Sequence, residues 1–221
     1  MLKIDIITLF PKMFKGPFDE SIVKRAQDRK LVRINIHDLR EYGFGERKTV
    51  DDRPYGGGIG MILMVEPIYK VLKKIKTKNS KVILLTPRGK TFNQQNSIEL
   101  SKSEHLIFIA GHYEGYDERI TKFIDQEISI GNFILTGGEI PTMAIIDSIV
   151  RLIPGVLKKE DATKYESFSE ENLVEYPQFT RPEEFKGLKV PQILLSGNHK
   201  EISGWRKKQS EDKTAEINLK K

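Results

Sequence analysis

The chain has 221 residues, with 37 Lys and Arg against 31 Asp and Glu and a formal net charge of +6. Its 38% hydrophobic and 31% charged residues read as a globular protein able to bury a core, and the basic excess suits an anionic partner such as nucleic acid as well as it suits many plain enzymes. Cysteine is absent, which excludes a disulfide framework, a Cys nucleophile, Fe–S clusters and Cys-ligated zinc, and the four His (His37, His105, His112 and His199) show no metal-binding spacing.

Residues 2–9 alternate and are rich in Ile, which predicts a strand. The opening run MLKIDIITLF is too short for a signal-peptide core with a cleavage site, and no stretch approaches a membrane span, so a cytoplasmic protein is expected. Asp19 and Ser21 precede a helical run to about Ala26, and LVRINI at 31–36 is a second strand. A polar, Gly-rich segment fills 40–60. Helical spacing returns at 66–75, a short apolar strand follows at 82–85, and 92–100 reads as a helix. LIFIA at 106–110 is another strand, 117–123 is helical, and 126–130 is extended. Residues 139–153 form a long helix with Pro141 in its first turn, where proline is tolerated. Strands alternating with helices predict an α/β domain with a mainly parallel sheet, and the unbroken apolar runs at 82–85 and 106–110 suit its centre. After Pro154-Gly155 the texture changes. Residues 158–172 are polar and read as a linker, and the remainder, with a helix at 201–209, reads as a small, mostly helical domain.

Three glycine-bearing loops follow predicted strands: 86–89, 110–115 and 129–139. In open α/β sheets ligands bind beyond the carboxyl ends of the strands, and glycine there lets backbone groups approach a ligand. Each loop is equally readable as an ordinary turn. None is a dinucleotide fingerprint or a P-loop, and the stretch Gly56-Gly57-Gly58-Ile59-Gly60 lacks the Lys and Ser/Thr a P-loop needs. Flanked by Arg53 and Tyr55, that stretch can serve a nucleic-acid backbone or base, or merely turn. Glu166 in the polar stretch reads as a solvated carboxylate. Arg151 suits the end of a helix dipole, Ser196 or Asn198 suits the cap of a helix beginning near His199, and Trp205 beside Arg206-Lys207-Lys208 is either a core anchor or part of a phosphate-binding cluster.

Taken together, DIITLFPKMF at 5–14, VDDRPYGGGIGM at 50–61, LTPRGKTFNQ at 85–94, GHYEGYDERI at 111–120, SIGNFILTGGEIP at 129–141, RLIPGVL at 151–157 and VPQILLSGNHKEISGWR at 190–206 resemble the bacterial tRNA (guanine-N1)-methyltransferases of the knotted SPOUT class. The similarity runs in order over nearly the whole chain. It implies an α/β domain with a deep C-terminal trefoil knot at 1–157, a flexible linker at 158–168 and a small helical tRNA-binding domain at 169–221. It also implies a homodimer with sites shared between subunits.

The same resemblance implies S-adenosylmethionine as methyl donor. It is carried over to Leu84, Leu85, Thr86 and Pro87 in the first loop and Gly111, Tyr113 and Glu114 in the second. In the third it covers Ser129, Ile130, Gly131, Asn132, Phe133, Ile134, Leu135, Gly137, Gly138 and Pro141. The implied substrate is the guanine at tRNA position 37, next to the anticodon. Guanine N1 is a poor nucleophile while protonated. A carboxylate that takes its proton as the methyl arrives raises the rate by about 10²–10⁴-fold, and charge pushed onto O6 calls for a cation. The family assigns these roles to positions matching Glu166 and Arg151. tRNA contacts are expected at Arg53, Tyr55, Ser196, His199, Arg206, Lys207 and Lys208. No metal ligand is expected, and the residues do not report on a Mg²⁺ requirement. Two positions depart from the family pattern: many members carry Asp where Glu166 stands, with Glu175 a fallback carboxylate, and Ile59 replaces the Pro of GGGPGM. The alternative reading is a non-catalytic RNA-binding protein of knotted fold that retains the donor pocket.

Overall fold

A computed structural model of the chain describes residues 1–158, 163, 166–169 and 173–218. The chain divides into two compact units, 1–158 and 159–221. The first is built on a five-stranded sheet of β1 (Leu2–Thr8), β2 (Val32–Asp38), β5 (Ser80–Thr91), β6 (His105–Ile109) and β7 (Gln126–Ser129), in the order β2-β1-β6-β5-β7. Every pairing in it is parallel. Two-residue strands β3 (Asp51–Asp52) and β4 (Ile62–Leu63) pair apart from it, so the Gly-rich stretch is the loop of a small antiparallel hairpin.

Alternation along each strand decides which side chains face which layer. Ile4, Ile6, Ile83, Leu85, Leu106 and Phe108 face one side. There they meet Val23 and Ala26 of α1 (Ser21–Asp28), Leu100 of α3 (Gln94–Ser101) and Ile145, Ile146 and Ile149 of α4 (Glu139–Val150). Ile7, Val82, Leu84, Ile107 and Ile109 face the other side, against Ile68, Val71, Leu72 and Ile75 of α2 (Val65–Ile75). Both faces are therefore covered, which is why the central strands read as unbroken apolar runs rather than alternating ones. Each of these fully buried Ile or Leu side chains contributes roughly 1.5–3 kcal/mol.

Residues 117–123, expected as a helix, contain a 3₁₀ turn at Glu118–Lys122, opened by the Asp117 carboxylate accepting from the Arg119 N–H at 2.9 Å. β5 runs well past the expected 82–85. Leu85 and Lys90 both pair with Ile128, so residues 86–89 bow out of the strand and the ladder then resumes.

The second unit holds a short hairpin of β8 (Glu184–Phe185) and β9 (Leu188–Lys189), with α5 (Gln192–Leu195) and α6 (His199–Asn218). The hairpin was not expected. α6 extends to Asn218, nine residues beyond the expected end at Gln209, supported late in its length by Thr214 Oγ1, which accepts from the Val174 N–H at 3.0 Å. The expected linker at 158–168 lies largely outside the described residues.

Candidate active site

The three glycine-bearing loops converge. β7, β5 and β6 are neighbours in the sheet; residues 129–138 and 110–115 continue from the carboxyl ends of β7 and β6, and 86–89 bow out of β5 between them. Together they line a cavity of about 480 Å³, within the range of small-molecule and cofactor sites. Of the residues expected to hold a donor, Leu85, Thr86, Pro87, Gly111, Tyr113, Glu114, Ser129, Ile130, Gly131, Phe133, Ile134, Leu135, Gly137, Gly138 and Pro141 all reach it. Leu84 and Asn132 do not line it. Leu84 alternates to the opposite face of β5 and is fully buried against α2, one residue out of phase with Leu85. The lining also includes Arg88, His112, Gly115 and Thr136, which belong to the three loops but were not among the expected donor residues, and Tyr116, Glu118 and Ile128, which the loop pattern did not single out.

Close backbone approach shapes this cavity. The Gly138 N–H donates to the Gly111 carbonyl at 2.7 Å, and Gly137 bridges His112. A Cβ on Gly138 would lie 2.8 Å from both the Ala110 Cα and the Gly111 N, so the third loop can pass only without a side chain there. A Cβ on Gly111 would overlap the Tyr116 ring. That ring sits over Gly111 and its hydroxyl donates to the Leu85 carbonyl at 2.6 Å, tying the second loop to the first. Burial pushes the Tyr116 phenol well above its ordinary value, so it stays a donor. Gly138→Ala is expected to cost roughly 1–3 kcal/mol by overpacking and to lower ligand affinity with it. Thermal unfolding followed by circular dichroism, together with calorimetric titration, measures both.

Behind the cavity wall, next to Gly138, stands Glu139, the first residue of α4. Only 1% of it is exposed, and it sits where an N-terminal helix dipole favours a carboxylate. Its Oε1 accepts from Thr8 Oγ1 at 2.7 Å. Its Oε2 has no hydrogen-bond partner among the described residues, and neither does the buried His112 Nδ1, 3.9 Å away. A buried polar atom left without a partner costs about 1–3 kcal/mol.

At the mouth, Arg88 donates to Glu118 at 2.9 Å in an exposed pair. The Gly-rich hairpin abuts the second loop: the Leu63 N–H donates to the Gly115 carbonyl at 2.9 Å and the Glu114 N–H to the Met61 carbonyl at 3.1 Å.

The sequence profile of tRNA (Guanine-1)-methyltransferase TrmD matches residues 2–220. A tRNA (guanine-N(1)-)-methyltransferase of Dictyoglomus turgidum is 55% identical over 214 residues, covering 97% of this chain and 87% of the relative. One from Citrifermentans bemidjiense is 53% identical over 216 residues, covering 96% and 86%. One from Staphylococcus aureus is 51% identical over 210 residues, covering 94% and 85%. The chain belongs to the tRNA (guanine-N1)-methyltransferase family.

Membership in this family implies a methyl donor and a tRNA substrate. Of the family's two expected catalytic positions, Arg151 lies in the first unit and Glu166 in the second. Arg151 is half-buried and caps α4, its N–H donating to the Asp147 carbonyl at 3.2 Å. Glu166 is half-buried and opens a turn in which its carbonyl accepts from both the N–H (3.1 Å) and the Oγ (2.6 Å) of Ser169. Phe168 in that turn holds φ +67°, a conformation uncommon outside glycine.

Among the residues expected to meet tRNA, Tyr55 is fully exposed at the hairpin tip and Arg53 is exposed beside Asp52. Ser196 Oγ donates to the Ile193 carbonyl at 2.8 Å and accepts from the Asn198 N–H at 3.1 Å. Asn198, not Ser196, caps α6, which begins at His199. Arg206, Lys207 and Lys208 are consecutive on α6, about 100° apart, so they do not share one face. Arg206 lies over the Tyr176 ring at 4.8 Å, and Lys207 faces Glu211 at 3.9 Å. Trp205 is partly buried near Phe179, with ring centroids 6.4 Å apart. Among the described residues no cluster of His, Asp or Glu could hold a metal ion, and no helix is long and apolar enough to cross a membrane.

Proposed function

We propose that this chain transfers a methyl group from S-adenosylmethionine to N1 of the guanine at tRNA position 37, with the donor held in the cavity at the ends of β5, β6 and β7. The observation that carries the reading is the convergence of the three loops into one cavity in a chain of this family. The residues fit the donor. The cavity has the size for an adenosyl amino acid, and its walls at Gly111 and Gly138 admit no side chain, which leaves backbone groups to meet a flat base. When bound, the donor supplies an electrophilic methyl group on a sulfonium that is its own leaving group.

The chain's own residues supply the rest. Glu166 takes the N1 proton, and Arg151 faces the charge that builds on O6. Arg53, Tyr55, Ser196, His199, Arg206, Lys207 and Lys208 meet tRNA, with phosphate contacts that weaken as salt rises. The knot expected of the family is supported by residues 86–89 bowing around Ile128 of β7 and by the return of Gly138 against Ala110 and Gly111. We further propose a homodimer whose sites draw on both chains, working in the cytoplasm. Phe133 and Ile134, which line the cavity yet stay exposed, and exposed Ile140 at the start of α4 offer apolar side chains of the kind that a partner covers.

The test is methyl transfer from labelled S-adenosylmethionine to two unmodified tRNA transcripts that differ only in guanine or adenine at position 37. Label in the first alone supports the reading. Label in neither, with donor still bound, favours the binding-only alternative.

A further inference from the structure

Two buried polar atoms face each other across Gly137 without meeting. They are Oε2 of Glu139 and Nδ1 of His112, 3.9 Å apart, and neither has another hydrogen-bond partner among the described residues. A Cβ on Gly137 would lie within contact of both atoms, so the gap is kept open by the absence of a side chain.

The two sides differ in rigidity. Glu139 is anchored at its other oxygen by Thr8, at the end of a fully hydrogen-bonded central strand. His112 belongs to the 110–115 loop, which includes Tyr113 at φ +61° and Gly115 at φ +126° and which lines the cavity. Its ring meets Phe10 and Tyr113 edge-on, with centroids 4.8 and 5.3 Å away, contacts that allow a small slide. A shift of about 1 Å would bring Nδ1 within hydrogen-bond distance of Oε2.

We infer that His112 is a positioning residue: when the cavity fills, its Nδ1–H donates to the Glu139 carboxylate and latches the 110–115 loop onto the start of α4 around the occupant. The inference rests on the proposal that this cavity holds the methyl donor. The physical cause is the position of the loop: His112 lines the cavity and Glu139 lies behind it, so an occupant packed on the 110–115 loop sets the gap between two atoms that are already shielded from water, where a charge-assisted hydrogen bond is strong. The latch therefore forms in the filled state and adds to affinity for the occupant, while His112 takes no part in moving the methyl group.

Two substitutions separate the latch from packing. His112→Phe keeps an aromatic ring for Phe10 and Tyr113 but removes the donor. His112→Asn loses the ring but places an amide N–H close to the position of Nδ1. Binding of S-adenosylmethionine and of S-adenosylhomocysteine to the full chain is measured by calorimetry, alongside the melting temperature of the empty protein. The expected result is a roughly tenfold weaker Kd for both ligands in His112→Phe, the lower end of what a hydrogen bond to a charged group contributes, with near wild-type Kd in His112→Asn. The loss in His112→Phe should appear in KM for the donor and not in kcat, with the melting temperature of the empty protein not lowered, because the substitution removes a buried nitrogen that has no partner in the empty state. Equal losses in both variants would make His112 a packing residue and overturn the latch, as would unchanged binding in both. A wild-type chain that binds neither ligand would overturn the reading of the cavity itself, and the latch with it.

Discussion

Glu166→Gln is expected to lower methyl transfer to tRNA by about 10²–10⁴-fold, the range that a positioned general base contributes. Donor affinity should hardly change. The substitution keeps the size of a half-buried side chain, and the turn it opens is held by the backbone carbonyl of residue 166 accepting from Ser169, which Gln leaves intact. Single-turnover measurement at saturating donor isolates the chemical step. The pH dependence is the sharper readout. Without a base, the rate of the variant should climb as pH rises and guanine N1 ionises unaided, and the gap to wild type should narrow. A variant that keeps its rate would move the base role elsewhere. Glu175, exposed and with its N–H donating to Ser167 Oγ at 3.0 Å, would be the next carboxylate to replace.

The second large effect is on stability and comes from the far side of the sheet. Asp5 on β1 is 1% exposed and sits among four donors: Lys3 Nζ at 2.8 Å, Asn35 Nδ2 at 2.9 Å, His37 Nε2 at 2.8 Å and His105 Nε2 at 2.5 Å. His105 is itself held by Ser80 Oγ at 2.7 Å. Burial by itself disfavours the charge on Asp5. The hydrogen bonds from His37, Lys3, Asn35 and His105 outweigh it together and hold the carboxyl well below the usual carboxylate range. Asp5→Ala removes the one acceptor these donors share and leaves the buried His105 Nε2 without its partner, while Nδ1 keeps Ser80. The expected cost is about 3–5 kcal/mol.

The folded-state value is depressed, so the stabilisation is fully present above the ordinary carboxyl pKa of 3.8 and is lost as pH falls from there through the folded value. Wild-type stability should therefore drop in that acid window, while Asp5→Ala, already destabilised, should lack this part of the drop. Circular dichroism, which follows the loss of the sheet and its helices, is the probe of urea unfolding. A loss below about 1 kcal/mol would reduce the cluster to the level of a surface ion pair.

Much of this molecule was legible in order along the chain. The apolar runs at 82–85 and 106–110 belong to central parallel strands because only a strand covered on both faces can carry apolar residues at every position. The loops that follow them had to stand at one edge of the sheet, since parallel strands all end on the same side, and the cavity lies there. The motifs within those loops were specific enough to carry the family.

Reading the loops as continuous stretches brought in Leu84 and Asn132, which do not line the cavity. Strand alternation turns Leu84 to the other layer, a fact of register rather than of motif. The basic run at 206–208 reads as one cluster in sequence, yet the helical repeat spreads it around α6. α6 itself ran past its expected end because part of its support, Thr214 accepting from Val174, comes from 40 residues away.

What the sequence by itself determined was the alternation of strand and helix, the edge of the sheet that carries the ligand loops, and the family. These depend on patterns within a few tens of residues. Only the tertiary structure decided the long-range contacts: Thr8 with Glu139 across 131 residues and Tyr116 with Leu85 across 31 beside the cavity, and Asp5 with His105 across 100 in the cluster that stabilises the sheet. Such pairs leave no local period in the sequence. Each exists because a parallel sheet lays distant segments side by side, and a polar group buried there must find its partner among whatever neighbours the topology supplies.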